Sequence, residues 1–461
     1  MRRWTAAAIV GACLAAAGEG SPARESGGAR PDGPDWEEVS REAIGLLRSY
    51  IRIPSVNPPA DTRAAAAFLK EILEREGIPV RTYESSPGKV NLLARLSASR
   101  PDPVPARPIL LLHHMDVVPV DAARWPVDPF GGELKDGFVH GRGAADMKGA
   151  GILHLLAMLT LKRQAAPLSR DLLLLATADE ETGGHGGALW MIEHHWEQMD
   201  PEYVLDEGGF GSRDLLAADG RLVFAVSVAE KKLLWLKLRA EGTAGHGSQP
   251  TQDNPNELLV RALAHVSGAA AGREDAPPAV VTELAARIGG LADNTFTRAI
   301  RRDTVSLTTL RAGVGEPAKA NVIPSVAEAT LDCRLLPGTD VGRFLAGLFP
   351  PGSGLERVQV ETIHRVDQTP VTPHDTPMFA ALEEAIRREH PEAVVAPFLI
   401  PYGTDSNAFR IRGARSYGLT PVVVDGSIIA SMHSDAEKVP ASELVRGVRI
   451  LHDAILTVAG R

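Results

Sequence analysis

The chain has 461 residues and a formal net charge of −9, with no basic stripe, which excludes nucleic acid as a partner. Its 44% hydrophobic and 23% charged residues supply ample apolar chain for a large core, in about three domains at roughly 150 residues each. Cysteine occurs only at Cys13 and Cys333, so a disulfide framework is excluded.

Arg2-Arg3, the apolar stretch Trp4 to Ala17 and the following Gly-Glu-Gly-Ser-Pro have the order of a secretory signal, expected over residues 1–20. The run is too short to stay as a spanning helix. A flexible linker is expected over 21–34. Val10-Gly-Ala-Cys13 offers a second reading, a lipoprotein box with Cys13 acylated, and membrane attachment is expected only in that case. Either signal predicts export, to the periplasm or beyond the cell.

From Trp36 the pattern is helical: Val39, Ala43, Leu46, Leu47, Tyr50 and Ile51 recur at helical spacing, and Pro54 must end the helix. A second helix is expected from Asp61, as N-cap, to Glu76, closed by Gly77. Strands follow at Val80–Tyr83 and Asn91–Leu96. The continuous apolar runs Ile109–His113 and Leu172–Ala176, with a long apolar helix from Lys148 to Arg163 between them, predict an α/β fold: a mostly parallel sheet flanked by helices. After Phe224 the texture changes. Ser227–Arg239 and Val326–Arg334 read as strands, with helices at Pro255–Ser267 and Ala279–Ile288. The chain therefore divides into a catalytic domain built from two segments, 35–229 and 367–461, and an α+β domain inserted between them over 230–366.

Several acidic or histidine clusters sit at the ends of apolar runs: His114-Met-Asp116, Asp146 in Gly141-Arg-Gly-Ala-Ala-Asp-Met-Lys-Gly149, Glu180-Glu181, and Asp206-Glu207. His433 follows near the C-terminus. In open α/β sheets the ligand site lies beyond the carboxyl ends of the strands, so these distant segments should converge on one edge. Imidazole and carboxylate together are the donor set of a two-zinc hydrolase. Two adjacent carboxylates cannot easily face one metal. One of Glu180 and Glu181 can ligate while the other takes a proton from water. In His114-x-Asp116 the two side chains share a face of an extended segment, so Asp116 is expected to accept from the second ring nitrogen of His114. His113 should point the other way, into the structure.

The motifs His114-Met-Asp-Val-Val-Pro119, Gly141 to Gly149, Asp179-Glu-Glu-Thr-Gly183, Gly245-His-Gly-Ser248 and Asn321-Val-Ile-Pro324 resemble the co-catalytic zinc peptidases and amidohydrolases. That family contains aminoacylase, carboxypeptidase S, bacterial glutamate carboxypeptidase and succinyl-diaminopimelate desuccinylase. Leu205-Asp-Glu-Gly-Gly209 and Gly403-Thr-Asp405 are most similar to the carboxypeptidase S and aminoacylase branches. The resemblance implies two zinc ions per subunit, with cobalt or manganese as possible substitutes. Asp146 would bridge them. His114 and an acid of the Asp206-Glu207 pair would complete one ion, Glu181 and His433 the other. Glu180 would be the general base and Asp116 the orienting acid. Strand alternation allows only one of Asp206 and Glu207 to ligate, and the following Gly-Gly favours Glu207. The family also implies a cis Asp146–Met147 peptide. An acid common three residues after the last histidine is replaced by Ala436, with Asp435 and Glu437 on either side. The inserted domain resembles a lid and dimerisation domain. Its His246 would reach a partner subunit's site in a homodimer and stabilise an oxyanion. Asn321 and Arg334 would bind substrate carboxylate or oxyanion, and Gly403 and Thr404 would line the same pocket.

The expected function is an exported metallopeptidase or amidohydrolase that cleaves an amide beside a free carboxylate, as a carboxypeptidase, dipeptidase or N-acyl-amino-acid hydrolase. A metal-bridging hydroxide would attack and Glu180 would serve as base. The alternatives are a deacylase or desuccinylase of an amino-acid biosynthetic intermediate, against which the export signal counts, and an inactive binding protein of the same fold.

Overall fold

Continuous apolar strands belong where both faces of a sheet are covered, and that is where they lie. The structure is a computed structural model describing residues 33–100, 106–271 and 276–460. The expected signal segment, Cys13 and most of the linker fall outside the described residues. Nine strands form one sheet, in the order Val80–Ser86, Lys89–Leu96, Leu172–Thr177, Ile109–His114, Tyr203–Asp206, Arg415–Gly418, Val223–Glu230 and Val394–Ile400, with Phe210–Ser212 beside Val223–Glu230. The four central strands, from Leu172–Thr177 to Arg415–Gly418, are mutually parallel. Antiparallel pairings flank them on both sides.

Alternation along these strands feeds two cores. Leu111, Leu174 and Leu205 face a cluster built with the helices Trp36–Ile51, Lys148–Arg163 and Ala441–Ala459. Leu110, Leu112, Leu173 and Leu175 face a second cluster under the helix Ala188–Met199. The helix Lys148–Arg163 is buried almost all round, which explains its lack of a polar face. No described helix is long and apolar enough to cross a membrane.

Some sequence expectations shift. The second helix starts at Arg63 after Thr62, not after an Asp61 cap. The single strand expected over Ser227–Arg239 is two. Val223–Glu230 is buried in the large sheet, and Lys232–Glu241 begins a four-stranded antiparallel sheet with Thr304–Arg311, Val326–Leu335 and Val358–Arg365. One apolar-rich run thus crosses between sheets at Lys231, a change of sheet that leaves no mark in hydrophobic periodicity. The small sheet packs its alternate residues, Leu234, Leu236 and Leu238 among them, under the helices Pro255–Ala271 and Val341–Leu348. The helices Ala279–Ile288 and Thr295–Ala299, which lie in the stretch read as an insertion, pack instead against the large core, the first through Val281, Leu284 and Ile288 and the second through Phe296.

The buried helix approaches the sheet closely at Gly151, where a Cβ would stand 2.5 Å from His113 Cδ2. Replacing a helical glycine by alanine ordinarily stabilises by about 1 kcal/mol, while overpacking a filled core costs about 1–3 kcal/mol. The His113 ring is fully buried and has nowhere to turn, so overpacking should win. Gly151→Ala is expected to lower Tm by a few degrees in a thermal melt. An unchanged or higher Tm would mean that the helix can slide off the strand.

Candidate metal centre

The parallel strands deliver their ends to one edge. His114 is the last residue of Ile109–His114, Glu207 follows Tyr203–Asp206, and Glu180 and Glu181 open a single 3-10 turn just past Leu172–Thr177. That turn is entered through Asp179 at φ 80°. Asp146 lies in the loop ahead of the buried helix, and the Asp146–Met147 peptide is cis. His433 comes in last, at φ 62°.

These side chains meet as two groups that share one residue. His114, Asp146 and Glu207 offer ligand atoms within 4.8 Å of one another, as do Asp146, Glu181 and His433. The two oxygens of Asp146 divide between them: Oδ1 is 3.0 Å from His114 Nε2 and Oδ2 is 3.0 Å from His433 Nε2. Glu207 Oε1 is 3.9 Å from His114 Nε2, and Glu181 Oε2 is 3.3 Å from His433 Nε2. Asp206 turns away, accepting a 2.8 Å hydrogen bond from Ser406 Oγ. Glu207 is therefore the member of that pair in the cluster, as strand alternation requires.

The electrostatics call for a cation. Burial, reinforced by neighbouring carboxylates, pushes the Glu180 and Glu207 carboxyls well above their usual range, and Glu181 upward as well. Burial lifts Asp405 to about 7. Burial also works to raise Asp146, but hydrogen bonds from His114 and His433 prevail and hold it low. His433 is drawn up to about 10, first by Asp146 and then by Glu181. Glu181 Oε1 is buried with no hydrogen-bond partner among the described residues. Uncompensated buried carboxylates are costly unless they are paired or coordinate metal. A set of two imidazoles and two glutamates around one shared aspartate fits two divalent ions of the zinc, cobalt or manganese kind.

The supports of the cluster depart from the sequence expectation in two places. Asp116 was expected to hold His114 through its carboxylate. Instead His114 Nδ1 lies 2.9 Å from the backbone oxygen of Asp116 and 3.6 Å from Oδ1. The carboxylate is already taken, accepting from Asn57 Nδ2 at 2.8 Å and from the backbone N–H groups of Glu180 and Glu181, each at 3.2 Å. Asp116 thereby fixes the turn that presents both glutamates. The question raised by Ala436 resolves to Glu437, which is fully buried. Its Oε1 accepts from the N–H groups of Ala145 and Asp146, at 2.9 and 3.0 Å, and its Oε2 accepts from buried Arg142 at 2.6 Å. Asp435 pairs with Arg124 instead. The acidic residue beside Ala436 is visible in sequence, but its partner lies 291 residues away. His113 points inward, 3.4 Å from the Tyr50 hydroxyl.

The remaining predicted residues lie elsewhere. Exposed His246 pairs through Nδ1 with Ser248 Oγ at 2.7 Å, and Asn321 Nδ2 is 3.5 Å from its Nε2. Arg334 is held bidentately by Asp332, at 2.7 and 2.9 Å. Thr404 Oγ1 donates to buried Glu230 at 2.9 Å. Gly403 packs where a Cβ would stand 2.6 Å from Leu233 Cδ1. Among the described residues, no hydrogen bond or ion pair joins His246, Asn321 or Arg334 to the acidic cluster. Asp405, close to Glu180 and bonded to Thr177 Oγ1 at 2.9 Å, does belong to its surroundings.

Known proteins resemble the chain over nearly its whole length. The model of peptidase family M20/M25/M40 matches residues 110–457. Aminoacylase-1 of Sus scrofa is 28% identical over 92% of this chain and 96% of its own. The N-fatty-acyl-amino acid synthase/hydrolase PM20D1 of Mus musculus is 27% identical over 98% of this chain and 95% of its own. In fold, the M20 family metallo-carboxypeptidase Sso-CP2 of Sulfolobus solfataricus superposes with a TM-score of 0.71 at 20% identity, covering 90% of this chain and 98% of that one.

Glu437 yields a test. Groups that hold metal-binding residues in place typically contribute about 10–100-fold to metal affinity. Glu437→Gln, checked for native circular dichroism, is expected to weaken zinc binding by that order in a competition titration with a chromophoric chelator. Unchanged affinity would show that the Asp146 loop holds its place without the Glu437 charge.

Proposed function

The chain belongs to peptidase family M20/M25/M40, and we propose that it is an exported two-zinc hydrolase cleaving an amide bond beside a free carboxylate, in a small peptide or an N-acyl amino acid. The observation that carries this reading is Asp146, shared between two donor groups, with the Glu180 carboxyl beside them and in neither. The names of its relatives, aminoacylase and N-fatty-acyl-amino acid synthase/hydrolase, support the substrate class. The signal-like sequence over residues 1–20 supports export.

In this reading His114, Asp146 and Glu207 hold one ion, and Asp146, Glu181 and His433 the other. When bound, the ions polarise the scissile carbonyl and make the attacking water more acidic. Glu180 takes the proton from that water and passes it to the leaving amine. Its enclosure suits both steps, because burial raises a carboxyl toward the range where it can hold a proton. Asp116 keeps Glu180 aimed by gripping its backbone N–H. Arg334 receives the substrate carboxylate through its Nη1, since Asp332 occupies Nε and Nη2. Asn321 stands beside His246, and Gly403 and Thr404 would line the substrate pocket.

His246 would donate to the carbonyl oxygen as charge develops there, reaching the site of a partner subunit. A homodimer through the small sheet is supported by its edge strand Thr304–Arg311, which leaves Leu307 50% and Leu310 54% exposed. An exposed apolar edge strand is a natural pairing surface.

Two experiments test the reading. Glu180→Ala should lower kcat by about 10²–10⁴-fold on peptides or N-acyl amino acids while retaining the metal content of the wild type, counted by inductively coupled plasma spectrometry. Loss of metal would contradict its separate role. For the dimer, the inactive variants Glu180→Ala and His246→Ala should recover activity when refolded together, because a mixed dimer has one site with both groups. Full activity in a strictly monomeric protein would remove His246 from a partner's site.

A further inference from the structure

After the strand Val394–Ile400 the chain turns over the large sheet and enters the short helix Ser406–Ile411. In that turn three consecutive side chains each grip a different strand. Thr404 Oγ1 donates to Glu230 Oε2 at 2.9 Å, Asp405 Oδ2 accepts from Thr177 Oγ1 at 2.9 Å, and Ser406 Oγ donates to Asp206 Oδ2 at 2.8 Å. Glu230, Thr177 and Asp206 are each the last residue of their strand, and all three are buried. Alternation turns Thr177 and Asp206 to the face that carries Leu173, Leu175 and Val204, and Phe409 of the short helix packs into the same cluster. Extended backbone would send Asp405 and Ser406 to opposite faces. Asp405 is instead helical, at φ −59° and ψ −23°, and both side chains reach that one face.

These grips flank the donor cluster. The strands that end at Thr177 and Asp206 lie on either side of Ile109–His114. Asp206 is followed directly by Glu207. Thr177 leads into the turn that presents Glu180 and Glu181, and beyond that turn an added Cβ at Gly184 would stand 3.0 Å from Asp405 Oδ1. Asp405 therefore meets the chain both before and after the two glutamates. Glu230, which also accepts from buried Arg410 at 2.9 Å, fixes the start of the segment through Thr404.

We propose that Thr404, Asp405 and Ser406 form a positioning clip that places the two donor groups separately. Ser406 holds Glu207 to His114 and Asp146 by way of Asp206. Asp405 holds Glu181 to Asp146 and His433 by way of Thr177. Such work goes beyond lining a pocket, and it rests on the reading that both groups hold metal. The pairing of Ile109–His114 with Leu172–Thr177 ends at Thr177, and that of Tyr203–Asp206 with Arg415–Gly418 ends at Asp206. Past those points side-chain contacts must set the spacing that the ladders set within the sheet.

The test is a zinc titration of the full chain against a chromophoric chelator, on variants that keep native circular dichroism. Two binding steps are expected from the two groups, and His433→Ala should remove the step that belongs to Glu181 and His433. Ser406→Ala should weaken the other step by about 10–100-fold and spare this one. Thr177→Val should do the reverse. Asp405→Ala, which breaks the same contact from the other side, should act on the same step as Thr177→Val. Thr177→Ser keeps the hydroxyl and should preserve both steps. If Ser406→Ala and Thr177→Val act on the same step, on both alike or on neither, the clip is overturned while the metal reading stands. A chain that binds no zinc before any substitution would overturn the metal reading, and the clip with it.

Discussion

Negative charge crowded into a buried space is the constraint around which this molecule is organised. Asp146, Glu181 and Glu207 converge with only two imidazoles among them, while Glu180, Asp206 and Asp405 crowd close behind. Left to themselves, such groups would swing apart or take up protons. They are kept together by backbone donors and by remote charges committed to their supports. Glu437 and Arg142 hold the Asp146 loop, Asp116 and Asn57 hold the Glu180 turn, and Lys89 pairs with Asp179 at the entry to that turn. The nearby cations thus serve the scaffold, and the centre keeps a deficit that a bound metal would offset.

The sheet makes the crowding possible. Four parallel strands end on the same edge, so side chains distant in sequence arrive within hydrogen-bond range without a long loop. Burial on both faces fixes register, since a slip by one residue would turn His114 and His113 into each other's places. Gly151 adds to this rigidity by letting the buried helix press on His113 directly. The residue next to the cluster is locked by packing, and the cluster inherits the precision of the core.

What can be read from sequence follows from this division. His114, Asp146, Glu180, Glu181 and Glu207 are legible because each stands at an apolar run's end or in a dense local motif; alternation allows only one of Asp206 and Glu207 to face the cluster, and it takes the following Gly-Gly to favour Glu207. His433 is visible as a candidate, but its pairing with Glu181 comes only through resemblance, since no strand leads to it. Glu437 is visible without its role, because its work is done on residues 291 and 292 positions away. Asp116 is placed correctly and given the wrong partner: alternation puts it on the right face, but cannot show that the Glu180 turn competes for its oxygens. The two strands read as one across Lys231 escape for a similar reason, as periodicity records burial and not which sheet supplies it.

The two sheets also divide recognition by chemistry. The large sheet surrounds the cluster with apolar walls and committed charges, so what it can add to binding is area and shape. The small sheet carries Arg334, Asn321 and His246 on or beside its exposed parts, where guanidinium, amide and imidazole can meet a charged or developing-charge oxygen. Changes at the exposed strand Thr304–Arg311 would therefore reach the cluster only through how the small sheet is presented, since among the described residues no hydrogen bond or ion pair joins His246, Asn321 or Arg334 to the donor groups.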